Sequence, residues 1–400
     1  MIKREICYEL KRCAGLLPVV TLLGPRQSGK TTIVRHVFNG FSYANLEDSQ
    51  VFELARTDSR LFFKQFAPPV IIDEIQRLPN LLRDIQVLVD EDGKPGRYVL
   101  TGSHQPMLQA EVSQSLAGRT TLSTLLPLSI RELGVKPSRD ELIFSGFLPR
   151  IHASRLPPRR ILSDYLRTYV ERDARQLVNV KDWQRFETFL RLLAGRVGQV
   201  ENLESLSGDV GVSSTTLKNW LSVLEASFVI FRLPPYYRNF GKRFVKSPKI
   251  YFTDVGLASH LLSISSVRQI SQHPLVGGLF ENMVVIEALK ARLNAGLEPN
   301  LYYMRDSSGV EADLVLEDGA GLRLWEIKSS MTADMSFARN LRLLRKAIPE
   351  VLSADVVYAG PDWPLPPDGR FINFASIGEA VLCNGEKDRR IDGLDNRHRR

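Results

Sequence analysis

The chain has 400 residues, a length that predicts two or three domains of roughly 150 residues each. Apolar residues make up 44% and charged residues 24% of the sequence, which excludes a disordered or fibrous chain. The net charge is +8, and residues 151–250 hold all of this excess, with 17 basic and 9 acidic side chains. A basic segment is compatible with binding to nucleic acid and equally with a solvated basic surface.

Membrane and secretion signals are absent from the sequence. No stretch approaches the roughly 18 apolar residues of a membrane span, and the first five residues carry acids and bases where a signal peptide would be apolar. Cys7, Cys13 and Cys383 lack the spacing of a zinc module or a disulfide framework. We therefore expect a cytoplasmic protein without membrane contact.

Short apolar runs alternate with helical patterns in the first part of the chain. The runs cover residues 17–23, 41–46, 70–75 and 97–102, and a helix is predicted over 29–38. This alternation predicts the buried strands of a parallel α/β sheet in a domain over residues 1–150. Two successive prolines, Pro157 and Pro158, predict a linker after this domain.

A glycine-rich motif follows the first apolar run. Residues 24–31 match G-x-x-x-x-G-K-[ST] between a strand and a helix. The glycines let backbone N–H groups approach phosphate oxygens, Lys30 neutralises the β- and γ-phosphates, and the Thr31 hydroxyl holds Mg²⁺. The motif predicts binding of ATP and Mg²⁺ by Gly24, Pro25, Arg26, Gln27, Ser28, Gly29, Lys30, Thr31 and Thr32.

Two acids end the apolar run at residues 70–75. We expect Asp73 to bind Mg²⁺, directly or through water, and Glu74 to polarise the water that attacks the γ-phosphate. Together with Lys30, these acids favour hydrolysis of a nucleoside triphosphate over binding alone. After the next run, Ser103 is the first candidate and Thr101 the second for sensing the γ-phosphate; the alternative is that both only end a strand.

The motifs of this first domain resemble one known family. The phosphate loop, residues 72–76, residues 101–103 and residues 118–129 are similar to AAA-type ATPases of bacteria and archaea. The resemblance covers nearly the whole chain and implies an ATPase domain followed by a C-terminal domain of unknown function. Arg119 is then a candidate arginine finger for a neighbouring subunit of a homo-oligomer, and a solvated arginine is the alternative.

The basic segment contains a pattern of helix, glycine turn and helix over residues 203–220, which predicts a helix-turn-helix. The apolar face of its second helix is predicted to comprise Leu217, Trp220, Leu221 and Leu224, which leaves Ser214, Thr215, Lys218 and Asn219 for a DNA groove.

Two strands, 228–233 and 243–252, would complete a winged-helix segment within a domain over residues 160–260. Its basic wing is predicted to comprise Arg238, Lys242, Arg243, Lys246 and Lys249. We expect DNA binding through residues 200–250, and a winged helix used for protein contacts is an equal alternative.

A third group of charged residues lies in the predicted α/β domain over residues 270–383. Glu326 and Lys328 alternate along a strand and therefore share a face, where Asp313 of the preceding strand can join them. Two carboxylates would hold Mg²⁺ while Lys328 positions or activates a water, and Glu281 of an upstream helix is a further metal ligand.

This third group resembles the PD-(D/E)xK nucleases, except that Ala312 stands where those enzymes have proline. The resemblance implies catalytic roles for Asp313, Glu326 and Lys328 in metal-dependent cleavage of DNA. An inactive nuclease-like fold, or ordinary ion pairs, is an equal alternative. Residues 384–400 are predicted to be a disordered tail.

The favoured hypothesis is an AAA-type ATPase that uses Lys30 and Glu74 in hydrolysis. It would couple nucleotide state to DNA binding and to metal-dependent DNA cleavage. The alternative is an ATP-dependent signalling or scaffold protein whose C-terminal domain binds a protein partner and cuts nothing.

Overall fold

The computed structural model describes residues 2–383 except 104–110, 113, 135–136, 171–182, 237–246, 307 and 368. Within these ranges the chain forms a parallel sheet, a mainly helical middle part and a mixed sheet. The predicted α/β class is confirmed. None of the described helices is long and apolar enough to cross a membrane.

The first sheet has five parallel strands within the described residues. They are β1 (Val19–Gly24), β2 (Ser42–Asn45), β3 (Val70–Asp73), β4 (Tyr98–Ser103) and β5 (Thr120–Thr124), in the spatial order β2-β3-β4-β1-β5. All residues of β1, β3 and β4 are buried, as their continuous apolar runs predict. The four predicted strands of this sheet are confirmed, and β5 was not predicted.

Within the described residues, five α-helices cover the two faces of this sheet. They are α1 (Cys7–Ala14), α2 (Lys30–Val37), α3 (Ser49–Thr57), α4 (Ser59–Gln65) and α5 (Leu81–Asp92). Successive residues of β1 enter opposite cores, since Val19 packs with residues of α4 and α5 and Val20 with residues of α1 and α2. Because the strands are parallel, their carboxyl ends share one edge, where Gly24 pairs with Ser103.

The middle part is built from seven α-helices within the described residues. They are α6 (Ile130–Leu133), α7 (Arg139–Ser145), α8 (Pro149–Ala153), α9 (Pro158–Tyr165), α10 (Trp183–Ala194), α11 (Leu203–Val210) and α12 (Ser214–Ala226), and a π-helix over Leu166–Val170 extends α9. Pro157 caps α9 and Pro158 begins it, at positions where the missing N–H of proline costs no helical hydrogen bond, and the linker predicted here stays a prediction.

Helices α11 and α12 meet at Gly211, whose φ of 73° provides the left-handed turn. The predicted apolar face of α12 is buried, whereas Thr215, Lys218 and Asn219 are exposed. An antiparallel pair follows, β6 (Ile230–Leu233) and β7 (Lys249–Phe252). Of the five predicted wing residues, Arg238, Lys242, Arg243 and Lys246 lie outside the described residues. Lys249 is 3% exposed, so its assignment to a DNA-facing wing is wrong.

The last part of the chain combines helices with a six-stranded sheet. Its helices are α13 (Val255–Leu261), α14 (Val267–Ile270), α15 (Val276–Asn294), α16 (Arg339–Ala347) and α17 (Ile377–Ala380). Its strands are β8 (Leu301–Arg305), β9 (Glu311–Asp318), β10 (Gly321–Lys328), β11 (Val351–Tyr358), β12 (Trp363–Leu365) and β13 (Gly369–Asn373).

The spatial order of this sheet is β12-β13-β11-β10-β9-β8. Strands β8, β9 and β10 form an antiparallel meander, and α16 then carries the chain to β11, which runs parallel to β10. The predicted helix that carries Glu281 and the two predicted strands that carry Asp313 and Glu326 are confirmed by α15, β9 and β10.

Helix α15 lies at the centre of the molecule. Every residue from Asn282 to Arg292 is buried, since the helix packs against β5 of the first sheet, against β7 and against β10. One apolar cluster accordingly extends from Leu126 to Val381. The predicted domain limits at residues 150–160 and 260–270 stay predictions, and this core crosses both of them.

Candidate functional site

The phosphate-loop sequence leaves the carboxyl end of β1 as its two glycines dictate. A Cβ atom on Gly24 would lie 2.2 Å from the backbone oxygen of Leu125, so a side chain is excluded there. Gly29 has a φ of 95° and directly precedes α2, a backbone conformation that favours glycine. Sequence and backbone therefore agree on a tight turn that leads into a helix N-terminus.

Lys30 is buried against this loop. Its Nζ atom donates hydrogen bonds to the backbone oxygens of Gly24 at 3.0 Å and Pro25 at 2.9 Å. Ser28 is fully buried, whereas the side chain of Thr32 is exposed on α2. Arg26 extends to the π-helix of the middle part, where its guanidinium lies 5.7 Å from the ring centre of Tyr169.

Asp73 joins three elements at the carboxyl edge of the sheet. Its Oδ2 atom accepts hydrogen bonds from the Thr31 hydroxyl and the Tyr43 hydroxyl, each at 2.8 Å, and its Oδ1 atom accepts one from Thr101. Hydroxyl and carboxylate oxygens are the ligands that Mg²⁺ prefers. The donor set of Thr31 and Asp73 thus fits a magnesium ion.

Tyr43 was not identified from the sequence, although it contributes to this edge. Burial raises the pKa of its hydroxyl, and the adjacent Asp73 carboxylate raises it further. The hydroxyl is therefore a proton donor to Asp73 at neutral pH. The guanidinium of Arg35 lies 4.7 Å from the ring centre of Tyr43 and orients the ring from the other side.

Glu74 directly follows β3 in a left-handed conformation, with a φ of 61°. Such a φ is unusual for a residue with a side chain and costs on the order of 1–3 kcal/mol. The Nε2 atom of Gln76 donates to the Glu74 carboxylate and to the Ser103 hydroxyl, the latter at 2.9 Å. Gln76, which sequence reasoning missed as a site residue, thereby connects the predicted base with the predicted γ-phosphate sensor.

Arg4 contacts the phosphate loop and the start of α6, and the sequence analysis did not identify it as a site residue. It is 6% exposed and donates to the Ser28 backbone oxygen at 2.6 Å, to the Leu126 backbone oxygen at 2.7 Å and to the Glu132 carboxylate at 2.9 Å. These partners are 24 to 128 residues away in sequence, so no local pattern could have identified the contact.

Arg119 lies at the opposite edge of the sheet. Its backbone oxygen accepts from the first residue of β1, Val19, at 3.1 Å, and its guanidinium forms an ion pair with Asp90 at 2.5 Å and 2.9 Å. The assignment of Arg119 as a finger for another subunit stays a prediction.

The acids predicted near the C-terminal end of the chain come together. Asp313 lies near the start of β9 and Glu326 near the end of the antiparallel strand β10. Glu281 of α15 lies close to them. Lys328 Nζ is 2.6 Å from Glu326 Oε1 and 3.8 Å from Asp313 Oδ2, which confirms that these side chains share a face. The backbone N–H of Ile327 donates to Asp313 Oδ2 at 2.8 Å and fixes that carboxylate.

Lys249 of β7 lies among these carboxylates. Its Nζ atom lies 2.9 Å from Glu281, 2.6 Å from Glu311 and 3.6 Å from Asp313. Glu311 was not predicted, although it stands two residues before Asp313 and so shares its strand face. We name Glu281, Glu311, Asp313 and Glu326 the acidic cluster.

Electrostatics in the acidic cluster are governed by burial. Burial raises the pKa of Glu326 to about 7, in the same direction as the Asp313 charge and against the effect of Lys328. Burial alone would lower the pKa of Lys249, but the adjacent carboxylates, Glu281 first, outweigh it and hold that pKa well above its usual range. Lys249 is therefore a cation among the carboxylates.

The described residues contain no group of three or more His, Cys, Asp or Glu side chains arranged to hold a metal ion. The metal site predicted at Glu281, Asp313 and Glu326 thus does not fit the cluster as it stands, because Lys249 contacts two of these carboxylates. The nuclease roles of Asp313, Glu326 and Lys328 stay a prediction.

Three families match successive parts of the chain. Residues 17–134 match an AAA domain, residues 136–268 match a domain of unknown function (DUF8612), and residues 276–376 match a domain of unknown function (DUF4143). The first match covers the five-stranded parallel sheet and the edge that carries Lys30, Asp73 and Glu74.

Two solved structures are similar to parts of the chain. The Walker-type ATPase PABY2304 of Pyrococcus abyssi is 14% identical, with 65% of this chain and 96% of that chain covered and a TM-score of 0.39. AMPPCP-bound DnaA from Aquifex aeolicus is 12% identical, with coverages of 55% and 85% and a TM-score of 0.29.

Three relatives are similar to the chain in amino-acid sequence. The uncharacterised proteins Rv2008c of Mycobacterium tuberculosis and Mb2031c of Mycobacterium bovis are each 33% identical over 367 residues, which is 90% of this chain and 80% of theirs. An uncharacterised protein of Haemophilus influenzae is 26% identical over 63% of this chain and 65% of its own. The chain therefore belongs to the family of these two mycobacterial proteins, with an AAA-type ATPase domain in its first third.

Proposed function

We propose that the chain binds ATP with Mg²⁺ at residues 24–32 and hydrolyses it. The observation that carries this proposal is the contact of Thr31 with Asp73 at 2.8 Å, beside a Glu74 that Gln76 connects to Ser103. One edge of one sheet thus presents a metal-binding pair, a base and a polar sensor. The match to an AAA domain over residues 17–134 supports the same activity.

Each side chain has a role that follows from its position. Lys30 exchanges the loop carbonyls for β- and γ-phosphate oxygens when ATP enters. Thr31 and Asp73 would hold Mg²⁺, which neutralises charge on the phosphates when it is bound. Glu74 accepts a proton from the attacking water as the new O–P bond forms and the bond to the ADP oxygen breaks. Gln76 positions the Glu74 carboxylate and the Ser103 hydroxyl for this step through its two hydrogen bonds.

The test compares Lys30→Ala with Glu74→Gln in the full chain. We expect Lys30→Ala to lose ATP binding, and Glu74→Gln to keep it while phosphate release falls on the order of 100-fold. Isothermal titration with ATP and Mg²⁺ and a phosphate-release assay measure the two effects. Lys64→Ala, an exposed lysine on α4, is the matched control. Wild-type rates of phosphate release in both variants would refute the proposal.

DNA is a second candidate ligand, through α12. The observation that favours it is the exposed polar face of Thr215, Lys218 and Asn219 on the second helix of a helix–turn–helix. Against it, several basic side chains of this part are already paired: Arg196 with Asp209, and Arg232 with Glu201. The winged-helix class itself remains part of this proposal.

For the DNA proposal, the double variant Lys218→Ala, Asn219→Ala should weaken binding to duplex DNA. Loss of one phosphate contact should lower the slope of log affinity against log salt by about one. Fluorescence anisotropy at several salt concentrations measures both quantities, with Lys64→Ala as the control. Unchanged affinity and slope would assign α12 to contacts with protein.

For the C-terminal sheet, the acidic cluster favours the binding-module hypothesis over cleavage. A nuclease needs its carboxylates free to hold a metal, whereas Glu281 and Glu311 contact Lys249 at 2.9 Å and 2.6 Å. We therefore propose that this part engages a partner according to nucleotide state and does not cut DNA while Lys249 is in place.

A further inference from the structure

A groove with basic side chains lies between α16 and the six-stranded sheet. Its cavity of about 330 Å³ is bordered by α16, by β11 and by the turn between β12 and β13. The apolar residues that line it include Leu341, Ala354, Leu365, Pro366 and Pro367, and the charged ones are Arg342, Arg345 and Lys346. We name this feature the basic groove.

Helix α16 supplies the positive charge of the basic groove. Four of its nine residues are basic and none is acidic. Arg342 and Lys346 stand four positions apart, so both lie on the exposed face of the helix. In the described part of the chain neither pairs with a carboxylate, and Arg342 donates to a neutral group, the Pro366 backbone oxygen, at 3.4 Å. These two cations are therefore open to carboxylates from another molecule.

Acids of the same region do not cancel this charge. Asp355 of β11 is buried and is already paired with Arg370, whose backbone N–H donates to it at 2.8 Å and whose guanidinium lies 3.7 Å away. Asp368, which follows Pro367 in sequence, lies outside the described residues. With both acids counted, the three cations of the basic groove and Arg370 still outnumber them by four to two.

Exposed apolar side chains accompany the cations. Leu343 of α16 is 49% exposed and lies on the same helix face as Lys346, three residues later. Trp363 of β12 is 62% exposed and pairs with Phe371, which belongs to the same apolar cluster as Leu341. Because directly opposite residues of antiparallel strands share a face, Trp363 lies on the α16 side of the sheet. Tryptophan and arginine are the residue types that most often dominate binding between proteins.

We propose that the basic groove binds an acidic segment of a protein partner. An apolar side chain of that segment enters the cavity, and its carboxylates pair with Arg342 and Lys346. Duplex DNA fits less well, because it offers phosphates to the cations but no apolar side chain to the cavity. The inference rests on the binding-module function proposed above, for which it names a surface and the chemistry of the partner, and it does not depend on ATP hydrolysis.

The test follows a labelled peptide on the full chain by fluorescence anisotropy. The probe has one leucine flanked on both sides by glutamates, and two comparison peptides replace the glutamates with glutamine or the leucine with serine. We expect the probe to bind more tightly than either comparison peptide, and the double variant Arg342→Glu, Lys346→Glu to weaken it by about tenfold. The matched control, Arg60→Glu with Lys64→Glu, reverses two exposed charges at the same spacing on α4 and should leave the affinity unchanged.

Equal affinity of the two double variants for the probe would overturn the inference, as would absence of binding by the wild type or equal affinity for the serine peptide. Tighter binding of a labelled DNA duplex that is lost in Arg342→Glu, Lys346→Glu would also overturn it and assign the basic groove to nucleic acid. Arg342→Gln with Lys346→Gln, which removes the charges without reversing them, covers the case in which the reversal variant unfolds.

A second titration with ATP and Mg²⁺ separates this inference from the proposed function. Probe affinity that does not change with ATP would contradict partner binding according to nucleotide state, and it would leave the assignment of the basic groove intact. Phosphate release by Arg342→Glu, Lys346→Glu should equal that of the wild type, because neither residue contacts the phosphate loop.

Discussion

At the scale of single residues, the phosphate loop depends on a side chain far outside its motif. Arg4 contacts the Ser28 backbone oxygen inside the loop and the Glu132 carboxylate behind it. Glu132 is itself the N3 residue of a capping box whose N-cap residue is Ser129. The arginine therefore fixes the loop relative to the start of α6.

Arg4→Ala should cost about 3–5 kcal/mol of unfolding free energy, because it leaves the buried Glu132 carboxylate without its cation. ATP affinity should fall as well, since the Ser28 backbone oxygen of the phosphate loop loses its hydrogen bond from Arg4. Urea unfolding and ATP titration measure the two effects. Arg131→Ala is the matched control, because the Arg131 side chain is 68% exposed and pairs only at the surface, with Glu5 at 3.3 Å. Equal losses in both variants would contradict this role.

The candidate site residues that the sequence suggests are those whose motifs are contiguous along the chain, and their roles stay predictions. Lys30, Thr31, Asp73 and Glu74 belong to short motifs whose spacing is fixed by a strand and the turn after it. Arg4, Tyr43, Gln76 and Lys249 act through partners that only the folded chain brings near, so sequence patterns gave no signal for them. Lys249 shows the limit most clearly: a basic run assigned it to a wing, whereas buried carboxylates hold it.

At the scale of elements, α15 connects the first sheet with the acidic cluster. Near its middle, Glu287 accepts from the Ile130 backbone at 2.7 Å, and Lys290 donates to the Leu128 backbone oxygen at 2.7 Å. Towards its start, Glu281 contacts Lys249. Helix α15 thus contacts the segment that follows β5 and carries Glu281 of the acidic cluster.

Lys290→Met should loosen this connection. The change leaves the Leu128 oxygen and the Glu287 carboxylate without their buried donor, and the expected loss is about 3–5 kcal/mol of unfolding free energy. Urea unfolding monitored by tryptophan fluorescence measures it. Lys346→Met, at an exposed position of α16, is the control. A loss below about 1 kcal/mol, the size of an ordinary surface change, would mean that α15 is held by its apolar contacts alone.

Elements with strong periodicity were predicted from the sequence, and their neighbours in space were not. The short apolar runs of β1, β3 and β4 predict buried strands. The apolar stretch of α15 is too long for a strand and therefore predicts a helix. The order β2-β3-β4-β1-β5 depends on which strands pair, and β12 and β13 are too short to show a clear period. The two successive prolines predict a linker, and in the structure they stand at the N-terminus of α9.

At the scale of the whole molecule, the three matched regions share one apolar core from Leu126 to Val381. Arg4 contacts both the Ser28 oxygen of the phosphate loop and the Glu132 carboxylate of α6, and α15, which contributes to this core, carries Glu281 of the acidic cluster. This arrangement supports an ATPase whose nucleotide state is transmitted to a C-terminal binding module.

The most direct measurement incubates the full chain with ATP, Mg²⁺ and supercoiled DNA, and follows phosphate release and DNA integrity in the same tubes beside Lys30→Ala. We predict phosphate release by the wild type, none by Lys30→Ala, and intact DNA in both. Absence of phosphate release by the folded wild type, or equal release by Lys30→Ala, would contradict this prediction.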